Sequence, residues 1–294
     1  MGRIISITNQ KGGVGKTTTT VNLSASLAEL GCKVLLIDMD PQGNATSGVG
    51  VDKNGDSTVY ELLIGDADYE SCLVKTDYEN LWVLPSNINL SGVEIELLEV
   101  ERREYRLKDI LDVHKDDFDF ILIDCPPSLN MLTVNAMTAS DSVLVPIQCE
   151  YYALEGLSQL LHTVGLVQQR LNTELEMEGV VFTMYDGRTN LSNQVVENVK
   201  ANLQENIYNT IIPRNIRLAE APSYGMPITS YASSSTGAES YRLLALEVMS
   251  HNDIEIDSDL KAQLARKVEE GLKEDPDEDA KGRKKKKHRL FGRK

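Results

Sequence analysis

The sequence predicts an α/β fold, in which a mostly parallel sheet is flanked by helices on both faces. Short runs of β-branched and aliphatic residues alternate along the chain with segments of helical apolar periodicity. The strand-like runs are apolar at almost every position, which is typical of strands covered on both faces. The 294 residues, of which 41% are hydrophobic, are enough to bury a core of this kind.

Strands and helices are expected to alternate from the N-terminus onward. The predicted strands are residues 4–8, 34–37, 81–84, 120–123, 142–146 and 179–183. The predicted helices are residues 16–30, 106–114, 131–138, 154–171, 193–206 and 237–250. Because strands that are joined through helices run parallel, this order predicts a parallel sheet, on which the last helix also packs.

The composition changes after about residue 251. Apolar residues then recur at every fourth position: Leu260, Leu264, Val268 and Leu272. This stripe predicts an amphipathic helix at about residues 257–273. An acidic stretch follows, and then residues 281–294 carry nine Lys or Arg and no acid. Such segments cannot bury a core, so we expect an ordered domain at residues 1–250 and an extension at 251–294 with a disordered end.

The cysteines and the N-terminus indicate where the protein works. The four cysteines stand singly, without a CxxC spacing: Cys32, Cys72, Cys125 and Cys149. This spacing argues against a zinc ribbon or a disulfide framework and is typical of a reducing cytosol. The N-terminal sequence lacks a secretory signal pattern, and no apolar stretch reaches the roughly 20 residues of a membrane span. We expect a soluble, cytoplasmic protein.

The formal net charge of −15 is unevenly distributed. Without the basic run at the C-terminus, residues 1–280 hold 21 basic and 45 acidic residues. A basic footprint is the usual sign of a protein that binds nucleic acid. Any contact of this chain with DNA therefore needs a local basic patch, the C-terminal run, or both.

A glycine-rich loop follows the first predicted strand and opens the first helix. Its residues are Gln10, Lys11, Gly12, Gly13, Val14, Gly15, Lys16, Thr17 and Thr18. Glycines let successive N–H groups point at one anion, and the helix N-terminus adds partial positive charge, so the loop predicts a phosphate site. Lys16 can reach the β and γ phosphates of a nucleotide, and the Thr17 hydroxyl can bind Mg²⁺. The general pattern GxxxxGK[ST] has glycine where this chain has Gln10.

Carboxylates stand at the ends of two other predicted strands. Asp38 and Asp40 lie in IDMDPQGN after the second strand, and Asp124 ends the apolar run FILID. Ligands of open α/β sheets bind at the carboxyl ends of the strands. An apolar strand that ends in aspartate is the Walker B arrangement, which predicts Asp124 near the magnesium. The alternative for DPQGN is an ordinary turn.

The additional lysine makes KGGVGKT a deviant Walker A motif, and in it the chain resembles the ParA/MinD family of ATPases. The resemblance implies that Lys11 reaches across a dimer to the phosphates bound by the other subunit. Catalysis would then use Lys11, Lys16 and Asp40, with Gly12 at the closest approach of the subunits. Asp40 would position or activate the attacking water and help to hold Mg²⁺.

Longer motifs, spread over roughly residues 1–250, resemble the Soj-like branch of this family: NQKGGVGKTTT, DMDPQGNATSG, DCPPSL, PIQCEYYALEGLSQLL and IPRNIRLAEAPSYGMPI. The resemblance implies an ATP-dependent homodimer that binds double-stranded DNA without sequence preference and is nucleoid-associated. A ParB/Spo0J-type centromere-binding protein would stimulate hydrolysis of ATP during chromosome or plasmid partitioning. Pro213 and Asn215 match positions that contact adenine, and Arg188 and Arg217 match positions that contact DNA.

Three other functions share the phosphate loop. The first is a MinD-like ATPase that positions itself on a membrane, but only Leu290 and Phe291 are apolar in the basic C-terminal run, so we do not expect membrane binding. The second is an electron-transfer ATPase, which needs cluster-binding cysteines at the dimer interface, and the sequence lacks a convincing pair. The third is a small-molecule ligase of cobalamin or biotin synthesis, which would turn over without DNA or a protein partner. The role of the basic run stays open between solubility, DNA contact and protein contact.

Overall fold

In a computed structural model of the chain, the described residues are 2–55, 57–150, 153–203 and 206–254. The predicted helix at about residues 257–273 and the charged C-terminal run lie outside them. The division into a domain of residues 1–250 and an extension therefore stays a prediction.

The described residues form one eight-stranded sheet with the order β3-β4-β2-β5-β1-β6-β7-β8. The strands are β1 Arg3–Ile7, β2 Val34–Asp38, β3 Val74–Lys75, β4 Leu81–Leu84, β5 Phe120–Asp124, β6 Ser142–Gln148, β7 Glu176–Tyr185 and β8 Ile207–Pro213. Neighbouring strands run parallel, apart from the short edge pair β3 and β4. The parallel sheet is what the apolar runs predicted.

Helices occupy the connections between the strands. They are α1 Lys16–Glu29, α2 Asn44–Gly48, α3 Val59–Ile64, α4 Tyr69–Cys72, α5 Val93–Glu96, α6 Arg106–His114, α7 Met131–Ala139, α8 Ala153–Arg170, α9 Asn190–Asn202, α10 Ile216–Glu220, α11 Ile228–Tyr231 and α12 Thr236–His251. Within the described ranges, none of these helices is both long enough and apolar enough to cross a membrane.

The core lies between the sheet and helices on its two faces. Leu35 and Ile37 of β2 share an apolar cluster with Leu107 of α6 and Leu132 of α7. A different layer consists of α1, which contacts β1, β2 and β5, and of α12, which packs on α1 and β8. All five residues of β2 and of β5 are buried. The predicted fold class, with helices on both faces of a mostly parallel sheet, is confirmed.

Several element boundaries differ from the predicted ones. The helix predicted at residues 193–206 spans Asn190–Asn202, because Thr189 caps it by accepting a hydrogen bond from the Ser192 amide. Strand Ile207–Pro213 was not predicted: it forms the sheet edge beside β7, and its sequence IYNTIIP mixes polar with apolar residues. The two-residue strand Val74–Lys75 was also not predicted.

Candidate functional site

The carboxyl ends of three central strands meet at one edge of the sheet. Ile7, the last residue of β1, pairs in register with Asp124, the last residue of β5. Asp38, the last residue of β2, pairs with Asp124 on the other side. The glycine-rich loop and both groups of carboxylates are thereby brought together, although more than 80 residues of sequence separate Asp38 from Asp124.

The glycine-rich loop has the backbone that its sequence predicts. Gly13 and Gly15 have φ angles of 75° and 91°, in the left-handed region that favours glycine. Gly15 is the N-cap of α1, so the first amides of this helix face the loop. Thr183 of β7 donates a 2.8 Å hydrogen bond to the Val14 carbonyl, which fixes the loop against the sheet. The loop can thus hold an anion at a helix N-terminus.

Lys16 places a cation inside the loop. Its side chain is buried, and its ammonium group donates a 3.1 Å hydrogen bond to the Lys11 carbonyl. Burial lowers the pKa of Lys16, whereas the nearby charges of Asp124 and Asp40 raise it. A buried ammonium with further donors to offer suits a phosphate group, which would supply acceptors and charge together.

Asp124 is completely buried and is held by two hydroxyl groups of α1. Thr17 Oγ1 donates to Asp124 Oδ2 over 2.7 Å, and Thr20 Oγ1 donates to Asp124 Oδ1 over 3.1 Å. Desolvation raises the pKa of Asp124, and the charge of Asp38 raises it further. A hydroxyl and a carboxylate in contact are a donor set that suits Mg²⁺. Thr20 was not among the predicted site residues.

The carboxylates after β2 make different contacts. Asp38 is completely buried and accepts hydrogen bonds from the amides of Asp40 and Thr46 and from the Thr46 hydroxyl, at 3.1, 2.8 and 2.7 Å. Asp40 is only partly buried, and its side chain accepts from the Gln42 amide over 3.0 Å. Asp38 therefore holds the loop, while Asp40 presents a carboxylate beside the phosphate loop.

Lys11 and Gly12 lie at the outer side of the loop. The Lys11 ammonium forms a 3.0 Å ion pair with Glu150 of the same chain, and Gln148 donates to the other Glu150 oxygen over 2.6 Å. Both members of the ion pair are partly exposed, so solvent screens it. Gly12 is exposed, and a Cβ atom there would meet only Pro127 Cβ, at 3.9 Å.

The predicted adenine residues lie at the end of β8. Pro213 is its last residue, and Asn215 caps α10 and donates to Thr236 Oγ1 over 2.9 Å. A cavity of about 280 Å³ beside Thr17 and Thr18 is bounded by α2 and by residues 221–226, and neither Pro213 nor Asn215 lines it. A larger cavity, of about 520 Å³, lies between α8 and the start of β7, away from the site.

The two arginines predicted to contact DNA lie in neighbouring segments that follow β7 and β8. Arg188 is in the loop after β7 and Arg217 is in α10, and the Arg214 amide joins the two segments by donating a 2.9 Å hydrogen bond to the Tyr185 carbonyl. Their side chains are 88% and 59% exposed. Each forms an ion pair within its own segment, Arg188 with Asp186 at 2.7 Å and Arg217 with Glu220 at 2.9 Å.

Arg214 is exposed and lies close enough to Asp186 to lower its pKa, although the pair with Arg188 has the larger effect. Arg188, Arg214 and Arg217 together form an exposed arginine patch, in which Arg214 is a third cation that the sequence motifs did not single out.

A parallel sheet with a phosphate loop, a buried lysine and carboxylates at adjoining strand ends defines a P-loop ATPase that uses Mg²⁺. The family described as AAA domain matches residues 2–177. Soj, the sporulation initiation inhibitor protein of Bacillus subtilis, is 59% identical over 84% of this chain and 98% of its own length. The chromosome partitioning protein ParA of Myxococcus xanthus is 52% identical over 85% of this chain and 88% of its own length. The chain belongs to the ParA/Soj family.

A solved structure of a named enzyme is also similar. It is the structure of cobyrinic acid a,c-diamide synthase of Mycobacterium smegmatis with bound ADP and magnesium. This protein is 40% identical to the present chain, the match covers 86% of this chain and 96% of the synthase chain, and the TM-score is 0.76. The predictions of the family, of an ATPase and of ATP and Mg²⁺ as cofactors are confirmed. The roles of the individual site residues stay predictions.

Proposed function

We propose that this chain is a partitioning ATPase that dimerises with ATP, binds DNA as the dimer, and is stimulated to hydrolyse ATP by a ParB-type partner on chromosome or plasmid DNA. The position of Lys11 carries the proposal. The partner of its ammonium among the described residues is Glu150, which lies outside the phosphate loop, in a partly exposed ion pair. Lys11 can therefore leave Glu150 and contact the triphosphate bound to a second subunit at a small cost in free energy.

The residues of the site then have separate roles in nucleotide binding and in hydrolysis. In this proposal the loop amides and Lys16 hold the β and γ phosphates, and Thr17, Asp40 and Asp124 would hold the magnesium, which neutralises charge on the phosphates when it is bound. Asp40 orients the attacking water. Lys11 of the second subunit adds charge where it develops in the transition state, so that hydrolysis depends on dimerisation.

DNA binding follows from the patch of Arg188, Arg214 and Arg217. Phosphates of DNA would replace Asp186 and Glu220 as partners of the two paired arginines, and such exposed pairs are weak enough to exchange. The patch is small beside the net negative charge of residues 1–280, so one copy binds weakly. Two copies in a dimer bind through one connected surface, which explains how ATP can control the interaction. Nucleoid association would follow.

A gel-shift titration on unrelated double-stranded DNA tests this function. The full chain should shift the DNA with Mg-ATP but not with Mg-ADP or without nucleotide. The Asp40→Ala variant should keep the ATP-dependent shift for longer, because it would hydrolyse ATP slowly. An equal shift in all three nucleotide states would contradict control by ATP. No shift with ATP, under conditions in which light scattering detects the dimer, would contradict the DNA role.

The similarity to the Mycobacterium smegmatis synthase favours a second candidate, a ligase that consumes ATP with a small molecule. The higher identity to the partitioning relatives weighs against it, at 52–59% compared with 40%. Substrate-dependent turnover without DNA or a protein partner would support the ligase. A MinD-like role makes a different prediction, which is ATP-dependent flotation with anionic liposomes and no DNA shift.

A further inference from the structure

The segment that carries Asp40 is tied to the end of β4 by side chains that are not part of the phosphate site. We propose that Ser86 and Thr46 are positioning residues for ATP hydrolysis, which hold Asp40 in place through a closed ring of hydrogen bonds. The inference rests on the proposed role of Asp40 and adds what keeps this residue at its position.

The first half of the ring starts from Asp38, at the end of β2. One oxygen of its carboxylate accepts a hydrogen bond from the Asp40 amide, at 3.1 Å. The other oxygen accepts from the Thr46 amide at 2.8 Å and from the Thr46 hydroxyl at 2.7 Å. The two ends of the segment from Asp40 to Thr46 are thereby fixed to one carboxylate.

The second half of the ring runs through the neighbouring strand. The Ser86 amide donates to the Thr46 hydroxyl oxygen over 2.9 Å. The Ser86 hydroxyl donates to the Asp40 carbonyl over 2.8 Å and closes the ring. The Gly43 amide donates to the same carbonyl over 2.9 Å, so the peptide group after Asp40 is held from two sides.

Most of the ring is buried and tightly packed. Asp38, Thr46 and Ser86 are completely buried and Asp40 is partly buried, so a hydrogen bond that is lost within the ring is poorly replaced by water. A Cβ atom on Gly43 would approach the Ser86 carbonyl oxygen to 2.6 Å, which shows how closely the segment lies against the end of β4. Because the backbone is fixed on both sides of Asp40, its carboxylate is presented from one defined position.

Position matters more for hydrolysis than for binding. A displacement of about 1 Å in a group that orients a reacting water can reduce the rate about 100-fold. Within the part of the chain that the structure describes, neither Ser86 nor Thr46 forms a hydrogen bond to the phosphate loop. Removal of either hydroxyl should therefore reduce kcat much more than it weakens the binding of ATP.

The Ser86→Ala variant of the full chain tests the ring, with Ser140→Ala as the matched control. The buried Ser140 hydroxyl also donates to a carbonyl, that of Ala136, at 2.7 Å, but it lies at the opposite edge of the sheet. We expect kcat of Ser86→Ala to fall about 10-fold to about 100-fold, with a much smaller change in ATP affinity and a longer-lived ATP dimer. Ser140→Ala should keep the wild-type kcat.

Two variants at Thr46 test whether the hydroxyl group is the part of this side chain that hydrolysis requires. Thr46→Ser keeps the hydroxyl that bonds Asp38 and Ser86 and should hydrolyse ATP at close to the wild-type rate. Thr46→Val keeps the shape, lacks the hydroxyl and should be impaired like Ser86→Ala. If Thr46→Val does not fold, Ser86→Ala decides the question alone.

Hydrogen exchange of the nucleotide-free protein gives a second readout that does not depend on turnover. Amides of residues 39–48 should exchange faster in Ser86→Ala, and as slowly as wild type in Ser140→Ala and Thr46→Ser. Wild-type kcat together with unchanged exchange in Ser86→Ala would overturn the inference. Asp40→Ala, measured in parallel, separates the two proposals. If Asp40→Ala is inactive and Ser86→Ala is unaffected, only the proposed role of the ring is refuted. If Asp40→Ala is fully active, the proposed role of Asp40 itself is refuted.

Discussion

Lys16 has a buried ammonium group at the start of α1. It is 6% exposed, and burial is the main cause of its lowered pKa. The protein therefore keeps a desolvated cation at this point without a salt bridge among the described residues. Such a group contributes more to ligand binding than to folding, since an anionic ligand supplies the opposite charge that the fold itself does not place beside the ammonium.

Lys16→Ala should weaken nucleotide binding by at least about 30-fold, because truncating one member of a buried charge pair costs about 2–5 kcal/mol. The melting temperature of the nucleotide-free protein should not fall, because the variant removes a desolvated charge. Fluorescence titration with a labelled ATP analogue and thermal unfolding measure the two effects. Lys33→Ala, at an exposed lysine, is the control and should change neither. Wild-type affinity in Lys16→Ala would contradict its role.

Magnesium binding should release a proton from the buried carboxylates. Desolvation raises the pKa of both Asp38 and Asp124. Without metal, the pair therefore retains a proton at a pH where an exposed aspartate is ionised, and Mg²⁺ requires the ionised form. The affinity for Mg²⁺ should rise as pH increases through neutrality and then level off. Calorimetry of Mg²⁺ binding to the ADP complex, in buffers of different ionisation enthalpy, measures the protons released. A pH-independent affinity without proton release would contradict the raised pKa values.

Single residues differ in how far the sequence reveals them. Lys16, Thr17 and Asp124 stand in contiguous motifs whose spacing already predicts a phosphate and a metal. Thr20 and Ser86 have no such signal, because a threonine in a helix or a serine after a strand is common. Their importance comes from hydrogen bonds to Asp124 and Asp40, which only the register of the strands brings near.

At the scale of elements, β1, β2 and β5 were predictable because a strand covered on both faces must be apolar along its whole length. β7 begins three residues before its predicted start, at a Glu-Met-Glu sequence that looks solvent-exposed. Glu178 is nevertheless buried there, since Ser142, Tyr208 and Asn252 all donate hydrogen bonds to its carboxylate. Polar partners that lie far away in the sequence are what local patterns cannot reveal.

The loop after β7 and helix α10 together form the arginine patch, and charge reversal there tests it. Arg188→Glu and Arg217→Glu should each weaken ATP-dependent DNA binding about 10-fold or more, and the salt dependence should fall by about one ion for each DNA phosphate that is no longer bound. ATP binding and dimerisation should persist. Anisotropy of labelled DNA at several salt concentrations measures both effects.

Arg170→Glu is the matched control for this patch. It makes the same change of charge at an exposed arginine, but it lies at the end of α8, away from the carboxyl edge of the sheet. All three variants carry the same net charge. An equal weakening of DNA binding in Arg170→Glu would therefore show that overall charge, and not the patch, controls the interaction.

At the scale of the whole molecule, the acidic body and the small arginine patch act in opposite directions. The net charge of −15 would repel DNA at long range, whereas contacts of the arginine patch with DNA phosphates would attract it at short range. The proposed dimer would double both effects, but its two patches would bind one duplex together and gain from effective concentration. The proposed control of DNA binding by ATP therefore requires that two copies can approach each other at their phosphate loops.

Gly12→Val tests that approach directly. Within one chain the new side chain has room, since a Cβ atom would meet only Pro127 at 3.9 Å and Gly12 does not have the positive φ of Gly15. ATP should therefore still bind, while the added isopropyl group blocks the second subunit, so that light scattering in Mg-ATP reports a monomer in the Asp40→Ala background. Gly15→Val is the contrasting variant, because its φ of 91° strains any side chain and should impair ATP binding itself. A Gly12→Val protein that dimerises as readily as Asp40→Ala alone would show that the subunits do not meet at this loop.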